Sequence, residues 1–128
     1  MTSVQRFASV IRLRPEKEAE YRELHASAWP GVLRAIADAG IRNYSIFLRD
    51  DLLFSYLEYV GDDFAADMEL LAKDETTRRW WQLTDPCQTP IESAAEGERW
   101  APAVEVFHTD GIPDGIHNGE TAPRPAVP

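Results

Sequence analysis

Two predicted strands and the turn between them lie in IRNYSIFLRDDLLFSYLEYV, residues 41–60. In the first half, Tyr44, Ile46 and Leu48 recur at every second position, which is the side-chain period of a β-strand. A short Arg-Asp-Asp turn follows, and a second apolar run comes directly after it. The stretch therefore predicts a β-hairpin, with strands over residues 41–48 and 52–60.

Helical patterns flank this hairpin on both sides. Before it, apolar residues recur at helical spacing over residues 16–39, on a face that carries Tyr21, Leu24, Ala28, Val32, Leu33 and Ile36. Proline lacks an N–H and clashes with the preceding turn, so Pro30 predicts a kink or a break into two helices. After the hairpin, helices are predicted over residues 64–73 and 75–83, the first with Phe64, Met68, Leu71 and Ala72 facing inward.

Strands are also predicted at the two ends of this region, over residues 4–13 and 103–108, and residues 86–97 are predicted to be a loop. The order β-α-β-β-α-β is the ferredoxin-like arrangement, an α+β fold with helices on one face of a four-stranded antiparallel sheet. Both faces of the hairpin strands carry apolar side chains, which is more than a solvated face would show. We therefore expect two protomers to pack sheet against sheet as a dimeric α+β barrel.

The composition is that of one ordinary globular domain, and its charge narrows the class of partner. The 128 residues are 44% hydrophobic and carry a formal net charge of −9, from 22 acidic and 13 basic residues. Phosphate-rich partners need a basic face, so we expect neither nucleic acid nor an anionic membrane surface as a partner. A small neutral ligand is compatible with this charge.

We expect the folded domain to span residues 1–109, because the composition changes after that point. Residues 110–128 are rich in proline and glycine and poor in apolar side chains, which predicts a tail that is disordered or loosely packed. The single cysteine, Cys87, excludes an intrachain disulfide, and no run approaches the roughly 20 apolar residues of a membrane helix. The first strand does not resemble a signal peptide, so we expect a cytoplasmic location.

A histidine lies in an aromatic stripe on the first predicted helix. Tyr21, His25 and Trp29 are spaced four residues apart, which places them on one helix face about one turn from each other. Histidine is the side chain whose unperturbed pKa lies near neutrality, so it can give and take protons in such a site. The alternative is a core histidine whose ring is satisfied by a backbone carbonyl.

Further aromatic residues are candidates for holding a sugar ring. A tryptophan face stacks on the C–H face of a sugar, and a buried tyrosine needs a partner that a sugar hydroxyl supplies. Trp80, Trp81 and Tyr44 fit these roles, although each is also compatible with packing alone. Glu58 is a charge within an apolar strand, and it is either a second acid/base candidate or a carboxylate that faces the sheet edge.

Other kinds of site lack their residues in this sequence. Only three histidines occur, and His117 belongs to the tail, so no tight metal-ligand cluster is predicted. There is no G-x-S-x-G elbow, no cysteine paired with a local histidine, and no glycine-rich phosphate loop. Cys87 also lacks a nearby basic residue that would activate its thiol. We therefore expect neither a metal site nor a covalent nucleophile.

Taken together, these motifs resemble the L-rhamnose mutarotase family over about residues 4 to 109. The resemblance rests on Tyr21-x-x-x-His25-x-x-x-Trp29-Pro30, Asn43-Tyr44-Ser45-Ile46, Leu52-Leu53-Phe54, Arg79-Trp80-Trp81 and Glu105-Val106-Phe107-His108, in this order. It implies a homodimeric α+β barrel of ferredoxin-like protomers. It also implies an isomerase that interconverts the α and β anomers of a free sugar without a cofactor.

The resemblance also implies roles for five residues. His25 matches the proton donor of the family, and Tyr21, Tyr44, Trp80 and Trp81 match its substrate-binding residues. The loop at 86–97 departs from the family pattern, so the sugar is expected to be L-rhamnose or a related neutral 6-deoxy sugar such as L-fucose. Two other classes stay open: a monooxygenase built on the same dimeric barrel, and a sugar-binding module without catalysis.

Overall fold

The computed structural model describes residues 4–111, and within them five strands and four α-helices follow the order β-α-α-β-β-α-α-β-β. The strands are β1 (Gln5–Leu13), β2 (Ile41–Arg49), β3 (Leu52–Tyr59), β4 (Gln88–Thr89) and β5 (Ala101–Ala103). The helices are α1 (Glu18–Ala26), α2 (Pro30–Asp38), α3 (Phe64–Lys73) and α4 (Glu75–Thr84). Single 3-10 turns precede α1 and follow α4. Residues 112–128, with most of the predicted tail and His117, lie outside the described residues.

The sheet is antiparallel and has the order β2-β3-β1-β4, with β5 paired to another part of β1. β4 pairs with the end of β1 at Arg12 and Leu13, whereas β5 pairs with its middle, from Ala8 to Val10. The central β1–β3 ladder sets Ile11 opposite Leu53. This strand order confirms the ferredoxin-like α+β protomer predicted from the order of the elements.

The last predicted strand is wrong in position. Alternating apolar residues predicted a strand over 103–108, but β5 ends at Ala103, and Val104, Val106 and Phe107 are 87%, 94% and 78% exposed. Beyond Ala103 the segment is tied to β1 by an ion pair between Arg6 Nε and Glu105 Oε1 at 2.7 Å. A two-residue strand, β4, instead lies in the predicted loop.

The predicted break at Pro30 is confirmed. α1 ends at Ala26, and Trp29 takes an extended conformation (ψ 136°) before Pro30 begins α2. This fits the steric restriction that proline places on the residue before it. Leu33 was expected to face inward but is 55% exposed. The prediction assumed one continuous helix, and the break changes the direction in which the residues after Pro30 point.

α3 and α4 begin at the predicted positions because aspartate side chains cap them. Asp63 accepts from the backbone N–H of Ala66 at 3.1 Å, and Asp74 accepts from that of Thr77 at 2.9 Å. Three of the predicted inward residues of α3 do face inward: Phe64 stacks on Phe7, and Met68 and Leu71 line a cavity. The fourth, Ala72, is exposed, so that prediction is wrong.

The two faces of the sheet differ. The helices cover one face, where a buried core forms from Ile11, Leu13, Tyr21, Leu53 and Cys87. The other face carries the directly paired Phe47 and Phe54, which are 62% and 38% exposed. None of the described helices combines the length and apolarity that a membrane crossing requires.

Candidate functional site

A cavity of about 340 Å³ lies between the helices and the covered face of the sheet. Its volume is at the lower end of the range of small-molecule pockets, about 300–1,000 Å³. All four helices and the hairpin strands contribute to its wall. The structure brings the five predicted site residues together here: Tyr21, His25, Tyr44, Trp80 and Trp81.

A β-bulge in β2 directs Tyr44 into this cavity. The β2–β3 register shifts between Arg42 and Ser45, and Asn43 within the bulge has a positive φ of 48°. Asparagine tolerates this left-handed conformation better than most residues. Because the bulge adds one residue to β2, Ile41 and Tyr44 both line the cavity although they are three positions apart.

His25 lies in the last turn of α1, and one of its ring nitrogens has a fixed partner. Nδ1 is 2.9 Å from the backbone carbonyl oxygen of Tyr21. A carbonyl oxygen only accepts, so Nδ1 carries a proton and donates it. The hydrogen bond to a backbone carbonyl, which was the alternative role for this histidine, is therefore present, but it uses Nδ1 only. Nε2 is left as the nitrogen that can exchange a proton with a ligand.

Aromatic rings hold the imidazole from two sides. The Tyr21 ring is 4.1 Å from the His25 ring between centroids, and the Trp80 ring meets it edge-on at 5.3 Å. Trp29 in turn packs edge-on against Trp80 at 5.2 Å. These contacts fix the position of the ring, which is the condition for directed proton transfer.

Trp80 and Trp81 occupy different environments, as adjacent helical residues do. Trp80 is 6% exposed and packs against His25 and Trp29, whereas Trp81 is 37% exposed. Both nevertheless line the cavity. Trp80 is thus part of the rigid wall, and Trp81 leaves aromatic surface free for a ligand.

Burial raises the pKa of both tyrosine hydroxyls, which are already protonated at neutral pH. It raises the pKa of Tyr21 to about 12, although the hydrogen bond from Gln88 counteracts part of that effect. Burial of the phenol also raises the pKa of Tyr44, even though that residue as a whole is 41% exposed. At neutral pH both groups are therefore hydrogen-bond donors.

Sequence reasoning missed four wall residues that follow α4: Asp85, Gln88, Arg99 and Trp100. The amide Nε2 of Gln88 donates to Tyr21 Oη at 3.2 Å, and Arg99 Nη2 donates to Gln88 Oε1 at 3.4 Å. No periodic pattern marks these positions, because they lie in or beside a predicted loop. The departure of this loop from the family pattern was the one available signal.

Two other candidates lie outside the cavity wall. Glu58 accepts from Asn43 Nδ2 at 2.6 Å and from Tyr56 Oη at 2.8 Å, and these hydrogen bonds lower its pKa. It follows Leu57, which lines the cavity, so Glu58 points to the opposite face of the sheet. Cys87 is fully buried, and its pKa is raised by that burial, so it is no reactive thiolate.

The wall is suited to a neutral ligand that bears hydroxyl groups. Among the lining residues, the charged pair Asp85 and Arg99 lie within 3.9 Å of each other and offset one another. The remaining polar atoms come mainly from phenols, an imidazole, threonines and one amide. Within residues 4–111, no group of His, Cys, Asp or Glu side chains is arranged to hold a metal ion.

Comparisons with known proteins identify the family of this chain. The family model described as L-rhamnose mutarotase matches residues 6–109. The L-rhamnose mutarotase of Burkholderia orbicola (strain MC0-3) is 39% identical over 94 residues, covering 67% of this chain and 88% of the relative.

Solved structures of the same fold are also similar. The crystal structure of an L-rhamnose mutarotase from Formosa agariphila has a TM-score of 0.65 at 25% identity, covering 83% of this chain and 99% of that one. A second similar structure is the tetracenomycin F2 cyclase of Streptomyces glaucescens, with a TM-score of 0.62 at 20% identity. The match covers 85% of this chain and 99% of the cyclase chain. That second likeness shows the fold alone. With a family model that spans the domain and a curated relative at 39% identity, the chain belongs to the L-rhamnose mutarotase family.

Proposed function

We propose that this protein is an L-rhamnose mutarotase, an isomerase that interconverts the α and β anomers of the free sugar. The observation that carries the proposal is the convergence of Tyr21, His25, Tyr44, Trp80 and Trp81 on one cavity in a chain of this family. The cavity offers a proton-transfer group, two phenol donors and aromatic surface. These are the groups that ring opening of a neutral sugar needs.

His25 is the proposed proton donor. Mutarotation requires the ring oxygen to be protonated as the C1–O5 bond opens, after which the aldehyde rotates and closes again. The hydrogen bond from Nδ1 to the Tyr21 carbonyl fixes the ring, so it is the Nε2–H of the protonated imidazolium that donates to the ring oxygen; the neutral Nε2 takes the proton back on closure. One well-placed proton transfer contributes typically about 10²–10⁴-fold in rate.

The tyrosines and tryptophans bind the sugar in this proposal. Tyr21 and Tyr44 donate hydrogen bonds to sugar hydroxyls, since both phenols are protonated at neutral pH and burial raises their pKa further. The rings of Trp80 and Trp81 contact the apolar C–H face and the C6 methyl group. Because Glu58 points away from the cavity, the proton of the anomeric hydroxyl goes in this proposal to another acceptor, such as a water molecule.

The proposed substrate is a neutral 6-deoxy sugar, with L-rhamnose first and L-fucose as the related case. The relatives named above as L-rhamnose mutarotases support this choice. The offset charges of Asp85 and Arg99 also favour a neutral ligand over an ionic one. The residues that follow α4 complete the wall, so they are the place where a preference among such sugars would arise.

Anomer exchange measured by saturation-transfer NMR tests this function. The protein should accelerate exchange of L-rhamnose above the spontaneous rate, and more than that of D-galactose or D-ribose. His25→Ala should reduce the protein-dependent rate by about 10²-fold or more while the fold is retained by circular dichroism. A correctly folded His25→Ala variant with the wild-type rate would remove His25 from the mechanism. Sugar binding by calorimetry without any acceleration would identify a binding module instead.

We further propose that the protein is a homodimer, formed through the sheet face that the helices leave open. Phe47 and Phe54 form an exposed apolar pair on that face, and solvent alone is a poor neighbour for such a pair. Light scattering after size exclusion should give twice the chain mass for the wild type. Phe54→Lys should give the monomer mass, whereas Leu70→Lys, at an exposed position on α3, should not. A dimeric Phe54→Lys protein would contradict this interface.

A further inference from the structure

A buried amide links the residues after α4 to the site. Gln88 is 5% exposed, and its side chain lies between Tyr21 and Arg99. Its Nε2 is 3.2 Å from Tyr21 Oη, and its Oε1 is 3.4 Å from Arg99 Nη2. Arg99 is anchored in turn, since its Nη2 also donates to the backbone carbonyl of Asp85 at 3.1 Å.

These contacts fix the donor and the acceptor in each hydrogen bond between Arg99, Gln88 and Tyr21. A guanidinium only donates, so the amide oxygen of Gln88 must face Arg99. The amide nitrogen must then face Tyr21, and a nitrogen with two protons and no acceptor capacity can only donate to the phenol oxygen. Tyr21 Oη is therefore an acceptor in this bond, and its own proton has to point elsewhere.

We propose that Gln88, oriented by Arg99, is a positioning residue that directs the hydroxyl proton of Tyr21 into the cavity. This rests on the proposed function, because the donated proton is useful only to a ligand with an acceptor, such as a sugar hydroxyl or ring oxygen. Gln88 is not catalytic in this scheme, since it acts through Tyr21. Gln88 and Arg99 both follow α4, whereas the five predicted site residues all precede the end of that helix.

Reversing the polarity of the amide gives the sharpest test. Gln88→Glu keeps nearly the same size, but the introduced carboxylate accepts from Tyr21 and takes the proton that the sugar would receive. We expect about tenfold lower kcat/KM for L-rhamnose exchange at neutral pH, the size of one lost hydrogen bond. Relative to the wild type at the same pH, the rate should recover as the pH falls, because a protonated carboxyl group can again donate to Tyr21.

Matched variants separate positioning from simple structural damage. Gln88→Leu should also lose activity, but by a factor relative to the wild type that does not change with pH, because leucine has no titrating group. Ser93→Glu adds the same charge at an exposed position nearby and should behave as the wild type. Arg99→Met should lower the rate because the Gln88 amide can then flip, so that its oxygen faces Tyr21. Combined with Gln88→Leu, Arg99→Met should cause little further loss of rate. Circular dichroism and thermal unfolding confirm that each variant is folded.

The possible results lead to distinct conclusions. A folded Gln88→Glu protein with wild-type kinetics at every pH overturns the inference. Equal, pH-independent losses in Gln88→Glu and Gln88→Leu also overturn it, because they indicate packing alone. If the wild type binds L-rhamnose without accelerating exchange, the proposed function fails but the inference is still tested. The same pH-dependent loss should then be seen in the sugar affinity of Gln88→Glu by calorimetry.

Discussion

Replacing Tyr21 by phenylalanine should cost stability as well as activity, and the two costs have different origins. The ring packs against His25 at 4.1 Å between centroids and against the buried core, and phenylalanine keeps these contacts. The change removes only Oη, which is the acceptor for Gln88 Nε2 at 3.2 Å. Because Gln88 is 5% exposed, water cannot readily replace the lost partner.

The size of the stability loss follows from this orphaned donor. A buried polar group left without a partner costs about 1–3 kcal/mol, whereas replacing both partners by apolar groups is nearly neutral. Tyr21→Phe should therefore lower the free energy of unfolding by about 1–3 kcal/mol. The double variant Tyr21→Phe, Gln88→Leu should regain most of it. Arg99 does not become an orphan in the double variant, because its side chain is 43% exposed and keeps the Asp85 carbonyl.

Urea denaturation followed by tryptophan fluorescence measures these differences. The two single variants and the double variant form a thermodynamic cycle with the wild type. The reasoning is refuted if Tyr21→Phe is as stable as the wild type, or if the double variant is less stable than Tyr21→Phe. Activity gives a separate check, because Tyr21→Phe and the double variant both lack the phenol proton and should both exchange sugar slowly.

Two further predictions concern the aromatic wall and alkaline pH. Trp80→Ala should lower the free energy of unfolding by about 3–5 kcal/mol, since Trp80 is 6% exposed, whereas Trp81→Ala should mainly raise KM for the sugar. Urea denaturation measures the first effect and NMR exchange kinetics the second. Equal stability losses in the two variants would contradict the assignment. Burial raises the pKa of Tyr21 to about 12 from a value near 10 in the unfolded chain, so its contribution to stability is complete below about pH 10 and is lost as the pH rises toward 12. The unfolding free energy of Tyr21→Phe should fall less steeply than that of the wild type above pH 10, and parallel curves would count against this assignment.

The regular elements could be predicted because their signals are local. The period of two in residues 41–48, the helical spacing before it and the proline at position 30 each report on neighbouring residues. The structure has strands and helices at these places, with the helix broken between Ala26 and Pro30. The inward face of α3 was predicted for Phe64, Met68 and Leu71 for the same reason.

The errors arise where a partner outside the segment decides the structure. Val104 and Val106 alternate with Glu105 as in a strand, yet the segment leaves β1 after Ala103. Alternation shows that a segment can form a strand, but not where a neighbouring edge ends. Ala72 is exposed for a related reason, because helical spacing does not give the width of the face that the sheet covers.

The candidate site shows the same division. Tyr21 and His25 lie on a helix whose spacing places them on one face, so a sequence pattern could select them, whereas the direction of Trp80 stayed open and its role came from the family resemblance. Gln88 and Arg99 lie after α4, where no period applies, and their relation to Tyr21 depends on how β4 pairs with β1. Sequence alone could show only that this stretch departs from the family pattern.

This difference bears on how sugar preference could change in such a protein. The aromatic residues on the helices are held by mutual ring contacts, such as those of His25 and Trp29 with Trp80, so a change there disturbs the whole wall. Gln88 and Arg99 are not part of these ring contacts, and they reach the cavity from short, irregular structure beside Cys87 and Trp100, which pack in the core. Substitutions after α4 can therefore alter the direction of hydrogen bonds to the ligand while the imidazole stays in place. A preference between two sugars that differ in one hydroxyl is expected to arise at these positions.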